Sequence, residues 1–166
     1  MTGDPRRLLL VGDTHGNGRW CKQLARIAAA NQCDAVVQLG DFGYWPHQQW
    51  GRTFLQHVAD LAASSGIPWY WLDGNHENHD MLAACADPTA APAMLEIRPG
   101  VHYLPRGHRW EWSGVRLGAL GGAASIDAAW RTEGVSWWRG EEPTVGDLLR
   151  LGDGPSSSVG CRRCPR

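Results

Sequence analysis

Apolar residues near the start of the chain gather in short continuous runs. Leu8-Leu9-Leu10-Val11 stops at Gly12-Asp13, Ala35-Val36-Val37-Gln38-Leu39 at Gly40-Asp41, and Trp69-Tyr70-Trp71-Leu72 at Asp73-Gly74-Asn75-His76. Such runs, bounded by turn formers, fit strands buried on both faces, as in a parallel sheet. Between them the period lengthens. Trp20, Leu24, Ile27 and Ala28 recur at helical spacing, which predicts an amphipathic helix from about Arg19 to Ala30. Trp50, Phe54, Val58, Leu61 and Ala62 repeat the pattern, and Gly66 followed by Pro68 ends the second helix. Strand, helix, strand, helix, strand gives consecutive βαβ units. Their crossovers bring the three strand ends to one edge of the sheet, where α/β proteins place their sites.

Beyond Pro92 the pattern changes. Met94 to Ile97, Val101 to Leu104, Arg109 to Trp112 and Val115 to Leu120 are short, β-rich and punctuated by Gly and Pro. They predict a hairpin meander on the same sheet or on a second one packed against it. Gly121-Gly122 closes this region. From about Gly152 onward apolar periodicity is lost, so the expectation is one domain over 1–151 and a disordered tail over 152–166.

Composition adds limits. A chain of 166 residues with 43% hydrophobic content can bury one core. A net charge of −1 lacks the one-sided positive field of a dedicated nucleic-acid binder, so nucleic acid enters only as a substrate. The five cysteines, Cys21, Cys33, Cys85, Cys161 and Cys164, are odd in number and suit a reducing compartment better than a disulfide framework. The apolar run at the start is too short for a signal peptide or a membrane span. The expectation is a soluble cytoplasmic protein.

The candidate chemistry sits where the three strands end: Asp13-Thr14-His15-Gly16, Gly40-Asp41 and Gly74-Asn75-His76-Glu77. In an extended segment residues two apart project to one side, so Asp13 and His15 can grip one ion together. Gly12, Gly40 and Gly74 precede these groups and allow a sharp turn and close approach of a ligand. Each cluster alone reads as a capping or hydrogen-bonding group, and Asn-His-Glu as a helix cap. Three such clusters at successive strand ends would leave several charges uncompensated unless they share a ligand. Carboxylate oxygens mixed with imidazole nitrogen suit zinc, manganese or iron.

Asp13-Thr14-His15-Gly16, Gly40-Asp41-Phe42-Gly43 and Gly74-Asn75-His76-Glu77 resemble, in order, the first three motifs of the calcineurin-like metallophosphoesterase superfamily. The resemblance covers roughly Leu8 to Trp138, and Gly121-Gly122-Ala123 with Ser125-Ile126-Asp127 and Trp130-Arg131 looks like bacterial and phage members. It implies an α/β fold, a layered αββα sandwich, and hydrolysis of a phosphate mono- or diester by attack of metal-bound hydroxide. It implies that Asp13 and His15 hold a first metal, Asp41 bridges two, Asn75 binds the second, and His76 is a general acid beside the substrate. Arg131 then either neutralises a phosphate oxygen or makes a core-edge salt bridge.

The same resemblance implies further histidines downstream, and none follows His108. Gly107-His108-Arg109-Trp110 has Trp110 where a second histidine would stand and precedes Gly121-Gly122, so it is no match. The sandwich is therefore expected to be C-terminally incomplete, with one tight metal site where complete members have two. One rival is a catalytically impaired remnant acting as a binding module. Another, given ten tryptophans, is a binder of sugars or single-stranded nucleic acid. Trp45, Trp137 and Trp138 are expected to pack as core or rim, or to line a cleft. His47, His57, His79 and His102 are expected at the surface or in caps.

Overall fold

Asn17 begins the first helix, its side chain accepting a hydrogen bond from the Trp20 N–H at 3.1 Å. Gly66, at φ 69°, ends the second with its N–H on the Ala62 carbonyl at 2.9 Å. These helices, α1 (Gly18–Ala30) and α2 (Gln49–Ser65), alternate with strands β1 (Leu8–Val11), β2 (Ala35–Leu39) and β3 (Trp69–Leu72). The computed structural model describes residues 4–86, 90–152 and 162–163. Helix α3 (His79–Cys85), strands β4 (Leu95–Arg98), β5 (Val101–Tyr103), β6 (Arg109–Trp112) and β7 (Val115–Gly118), helix α4 (Val145–Arg150) and the two-residue β8 (Arg162–Arg163) complete it. Two 3₁₀ turns, Ala128–Trp130 and Arg139–Glu141, lie between β7 and α4.

The main sheet has the order β1-β2-β3-β5-β4-β8. β1, β2, β3 and β5 run parallel, and β4 lies antiparallel to β5. The expected meander therefore divides: β4 and β5 join the main sheet, whereas β6 and β7 form a separate two-stranded sheet. Alternation along β2 and β3 feeds both layers. Val36, Trp69 and Trp71 pack in the cluster that holds Leu24 and Ala28 of α1 and Phe54, Leu55 and Val58 of α2. Ala35, Val37 and Tyr70 pack with Leu104, Trp110 and Trp112 on the other side. The result is a mixed α/β sandwich in which a parallel-dominated sheet lies between helices and a hairpin.

Two expectations need correction. β1 is not buried on both faces: it is an edge strand with one neighbour, and Leu10 is 59% exposed. Nor are all the thiols unpaired. Cys21 and Cys33 are free and buried, whereas Cys85 is disulfide-bonded, which an odd count of five does not exclude. Of the stretch read as a tail, only Gly152 and Arg162–Arg163 are described, and the latter pair parallel with Leu95 and Glu96. No helix among the described residues is long and apolar enough to cross a membrane.

Candidate metal centre

β1, β2 and β3 deliver their following loops to one edge of the sheet, and backbone bonds fasten the first two together. His15 N–H donates to the Asp41 carbonyl at 2.7 Å and Gly16 N–H to the Phe42 carbonyl at 2.9 Å. Thr14, buried between them, donates its hydroxyl to the same Phe42 carbonyl at 2.9 Å. Within this clasp Asp13, His15 and Asp41 adopt φ values of 31°, 46° and 55°. Left-handed backbone is uncommon for side-chain-bearing residues and costs on the order of 1 kcal/mol or more at each. The convergence of Asp13 and His15 thus comes from turned backbone, not from strand alternation, because β1 already ends at Val11. A Cβ on Gly12 would meet no protein atom within 4 Å, whereas one on Gly74 would collide with the Asp41 carboxylate and backbone, so the missing side chain of Gly74 is what lets the second and third loops close together.

One ligand atom each from Asp13, His15 and Asp41 lie within 4.8 Å of one another. His15 Nε2 and Asp41 Oδ2 stand 3.7 Å apart, too far for a hydrogen bond. Two donors about 2.1 Å from a shared ion would be about 3.4 Å apart in tetrahedral geometry, so the pair needs little adjustment to hold one. Oδ1 of Asp41 accepts the His76 N–H at 2.9 Å, which directs Oδ2 toward His15. This donor set fits a divalent cation that takes oxygen and nitrogen together.

The third loop brings Asn75 and His76. The His76 ring stands edge-on to that of His15, centroids 5.2 Å apart, and is partly exposed. Asn75 Nδ2 donates to Ser125 Oγ at 2.9 Å, and Arg131 donates to the same oxygen at 2.8 Å. With its nitrogen committed there, the Asn75 amide presents its oxygen as the remaining donor atom. Arg131 also lies 3.7 Å from Asp127, the core-edge pairing that the sequence offered as one alternative.

Sequence reasoning missed the residues that hold these loops in place. Glu77, fully buried, accepts the Gly43 N–H at 3.0 Å on one oxygen and the Gly74 N–H at 2.6 Å on the other. Burial pushes its carboxyl up to about 8, the two N–H donors pull it down, and the charges of Asp41 and Asp73 add to the rise. Asp73 accepts the Tyr103 hydroxyl at 2.9 Å and Arg106 Nε at 2.7 Å. Arg106 then donates to the carbonyls of Gly140, Glu141 and Glu142, tying the later 3₁₀ turn to the end of β3. Glu141 accepts the Ser125 N–H at 2.6 Å, completing the path back to Asn75. Glu77 lies inside the third motif, Asp73 immediately before it and Ser125 in the later stretch of resemblance, whereas Arg106 and Glu141 carried no sequence signal. Asp73, Arg106, Ser125 and Glu141 act through partners remote along the chain.

The remaining candidates fall outside the cluster. His108 bonds the Pro92 carbonyl at 3.1 Å and stacks on Trp110. His57 bonds the Gly18 carbonyl, and His47 meets Asn78 and Gln48. His79, expected at the surface or in a cap, is the first residue of α3 beside the capping Asn78 and is buried, and burial lowers its pKa. Asn78, rather than Asn75, caps α3 by accepting the Met81 N–H. Trp45 donates its Nε1–H to the His76 carbonyl at 2.9 Å, and Trp138, buried against Trp45, donates to Asp80. These tryptophans pack the rim of the third loop.

A family model described as calcineurin-like phosphoesterase matches residues 6–140. No curated protein matches the chain.

Proposed function

This chain belongs to the calcineurin-like phosphoesterases, and from that premise we propose that it hydrolyses a phosphate mono- or diester with a divalent cation held by Asp13, His15 and Asp41. The observation that carries the reading is the convergence of those three side chains, from two strand ends, on left-handed backbone. Strained backbone is concentrated at sites whose geometry matters. Manganese, zinc and iron all suit the donors. When bound, such an ion makes water nucleophilic at neutral pH and neutralises charge on the phosphoryl oxygens.

The chain's own residues divide the remaining work. Asp41, fixed through Oδ1 by the His76 N–H, faces the ion with Oδ2. His76 stands beside His15 with its ring partly open to solvent, placed to give a proton to the departing alkoxide. Asn75 offers its amide oxygen to a second ion, which it would share with Asp41. Arg131, engaged by Ser125 and Asp127 through Nη1, steadies Asn75 through the Ser125 hydroxyl they share.

The ligand count also supports a second reading, an impaired phosphoesterase that binds one ion and a phosphate ester without efficient turnover. Among the described residues one cluster of three His, Cys, Asp or Glu ligands is present, and the second position rests on a neutral amide. The two readings separate in one experiment. Manganese-loaded protein is assayed with p-nitrophenyl phosphate and bis(p-nitrophenyl) phosphate alongside its metal content. Metal-dependent release of nitrophenol supports the enzyme, and bound metal without release supports the binding module. Absence of both would remove the centre altogether.

A further inference from the structure

A cavity of about 960 Å3 opens between the first turns of α1 and α2, beside the first metal-binding loop. Its wall includes Gly16, the residue bonded directly to His15, together with Arg19, Lys22, Trp50, Thr53 and His57. Trp50 is 49% exposed, and its ring lies so close to Gly16 that a Cβ there would be 2.9 Å away. A flat aromatic surface therefore stands against the backbone that carries a proposed ligand. Arg19 and Lys22 are three residues apart on α1, which puts them on one face. Both are exposed, and neither makes a hydrogen bond or ion pair through its side chain among the described residues. Lys22 is the chain's single lysine, and no Asp or Glu lines the cavity.

We propose that this cavity is a nucleotide subsite, with the base packed on Trp50 and the non-reacting phosphates held by Arg19 and Lys22. The chemistry matches in each part. Every base has a π face that an exposed indole can accept, and two uncompensated cations in a wall without carboxylates favour a polyanion. Thr53, which donates to the Gln49 carbonyl, and His57, which bonds the Gly18 carbonyl, complete the wall without offering a competing charge. A nucleotide seated there has one end next to Gly16, whose chain neighbour is the proposed ligand His15, although His15 itself does not line the cavity. The subsite consequently turns a centre that is indifferent to what its phosphate is attached to into one that prefers nucleotides. That last step rests on the proposed phosphoesterase centre. Binding itself does not.

The test is calorimetric titration of the full chain with ADP in the presence of a chelator, so that the metal centre plays no part. Saturable binding is expected, weakened at least tenfold in an Arg19→Gln/Lys22→Gln variant and several-fold in Trp50→Leu. Trp50→Phe should bind more tightly than Trp50→Leu, because a ring is restored. Circular dichroism checks that each variant is folded. Asp41→Asn should bind ADP as the parent does, so loss of metal chemistry and loss of the subsite remain distinct results. Inorganic diphosphate and adenosine should each bind more weakly than ADP. No saturable ADP binding would overturn the proposal, as would equal binding by parent and double variant. Diphosphate as tight as ADP would reduce the cavity to an anion patch, and a phosphoserine peptide tighter than ADP would assign it to another substrate. Either result contradicts a nucleotide subsite.

Discussion

The loops after β1 and β2 and the stretch from Gly121 to Glu142 both shape the candidate centre, by opposite means. His15 and Asp41 are joined by main-chain bonding between neighbouring strand ends, with Thr14 and Glu77 closing the clasp beside Asp13. Ser125, Arg131 and Glu141 are held by side chains, above all by Arg106 reaching three carbonyls and Asp73 at once. The first arrangement joins two neighbouring strand ends through two main-chain bonds and the Thr14 hydroxyl. The second adds to two main-chain bonds, Gly122 N–H to the Asp73 carbonyl and Ala123 N–H to the Glu141 carbonyl, a guanidinium whose partner carboxylate is almost wholly buried. Chemistry is therefore expected to fail at the first region, and positioning at the second.

His76→Gln tests the chemical side and should have the largest effect on rate. Metal should remain bound while turnover falls by about 10²–10⁴-fold for an alkyl ester and by less for a nitrophenyl ester, whose leaving group needs no proton. Equal losses for the two esters would argue against proton donation. Arg106→Leu tests the positioning side. Leaving Asp73 buried without its partner should cost about 3–5 kcal/mol in urea unfolding, with the motif loops of β1 and β2 retained until the global transition. A loss below about 1 kcal/mol would show that the later stretch does not depend on this residue.

How much of this was legible depends on the distance over which each group acts. The three motif loops could be read because each follows its strand directly and the helices between them keep a clean period. β1 was misread because Leu8-Leu9-Leu10-Val11 looks the same in the middle of a sheet or at its edge, and the difference lies in which strands pair. Asp13 and His15 were placed together for the wrong reason. The turn after Asp13 is held by bonds from the His15 and Gly16 N–H groups to the Asp41 and Phe42 carbonyls, partners remote along the chain. Ser125 lies in a stretch whose resemblance to the family was legible, but its role appears only when Asn75 and Arg131 fold against it.

Smaller effects refine the same contrast. Ser125→Ala should leave the first metal in place and free the Asn75 amide to rotate, lowering turnover or second-metal affinity by roughly tenfold. No change in either would detach Asn75 from the later stretch. The smallest effect concerns Asp147, which completes a reciprocal cap with Thr144 at the start of α4. Burial raises its pKa, but the Thr144 N–H and hydroxyl outweigh this and hold the carboxyl below its ordinary value. A depressed pKa stabilises the fold above the unfolded value of 3.8, and that contribution is lost as the pH falls through the folded-state pKa. Asp147→Asn should therefore cost about 0.5–1 kcal/mol at neutral pH and progressively less in acid. A penalty independent of pH would assign the cap to shape rather than charge.

The most direct test of the central claim is calorimetric titration of metal-free protein with manganese or zinc at several protein concentrations. Asp13, His15 and Asp41 supply three ligands to one ion, whereas Asn75 and a share of Asp41 offer the second little charge. One tight equivalent per chain is predicted, with any second event much weaker, and Asp41→Asn should abolish the tight event while the fold persists. Two tight equivalents, or a tight event that survives Asp41→Asn, would contradict the account.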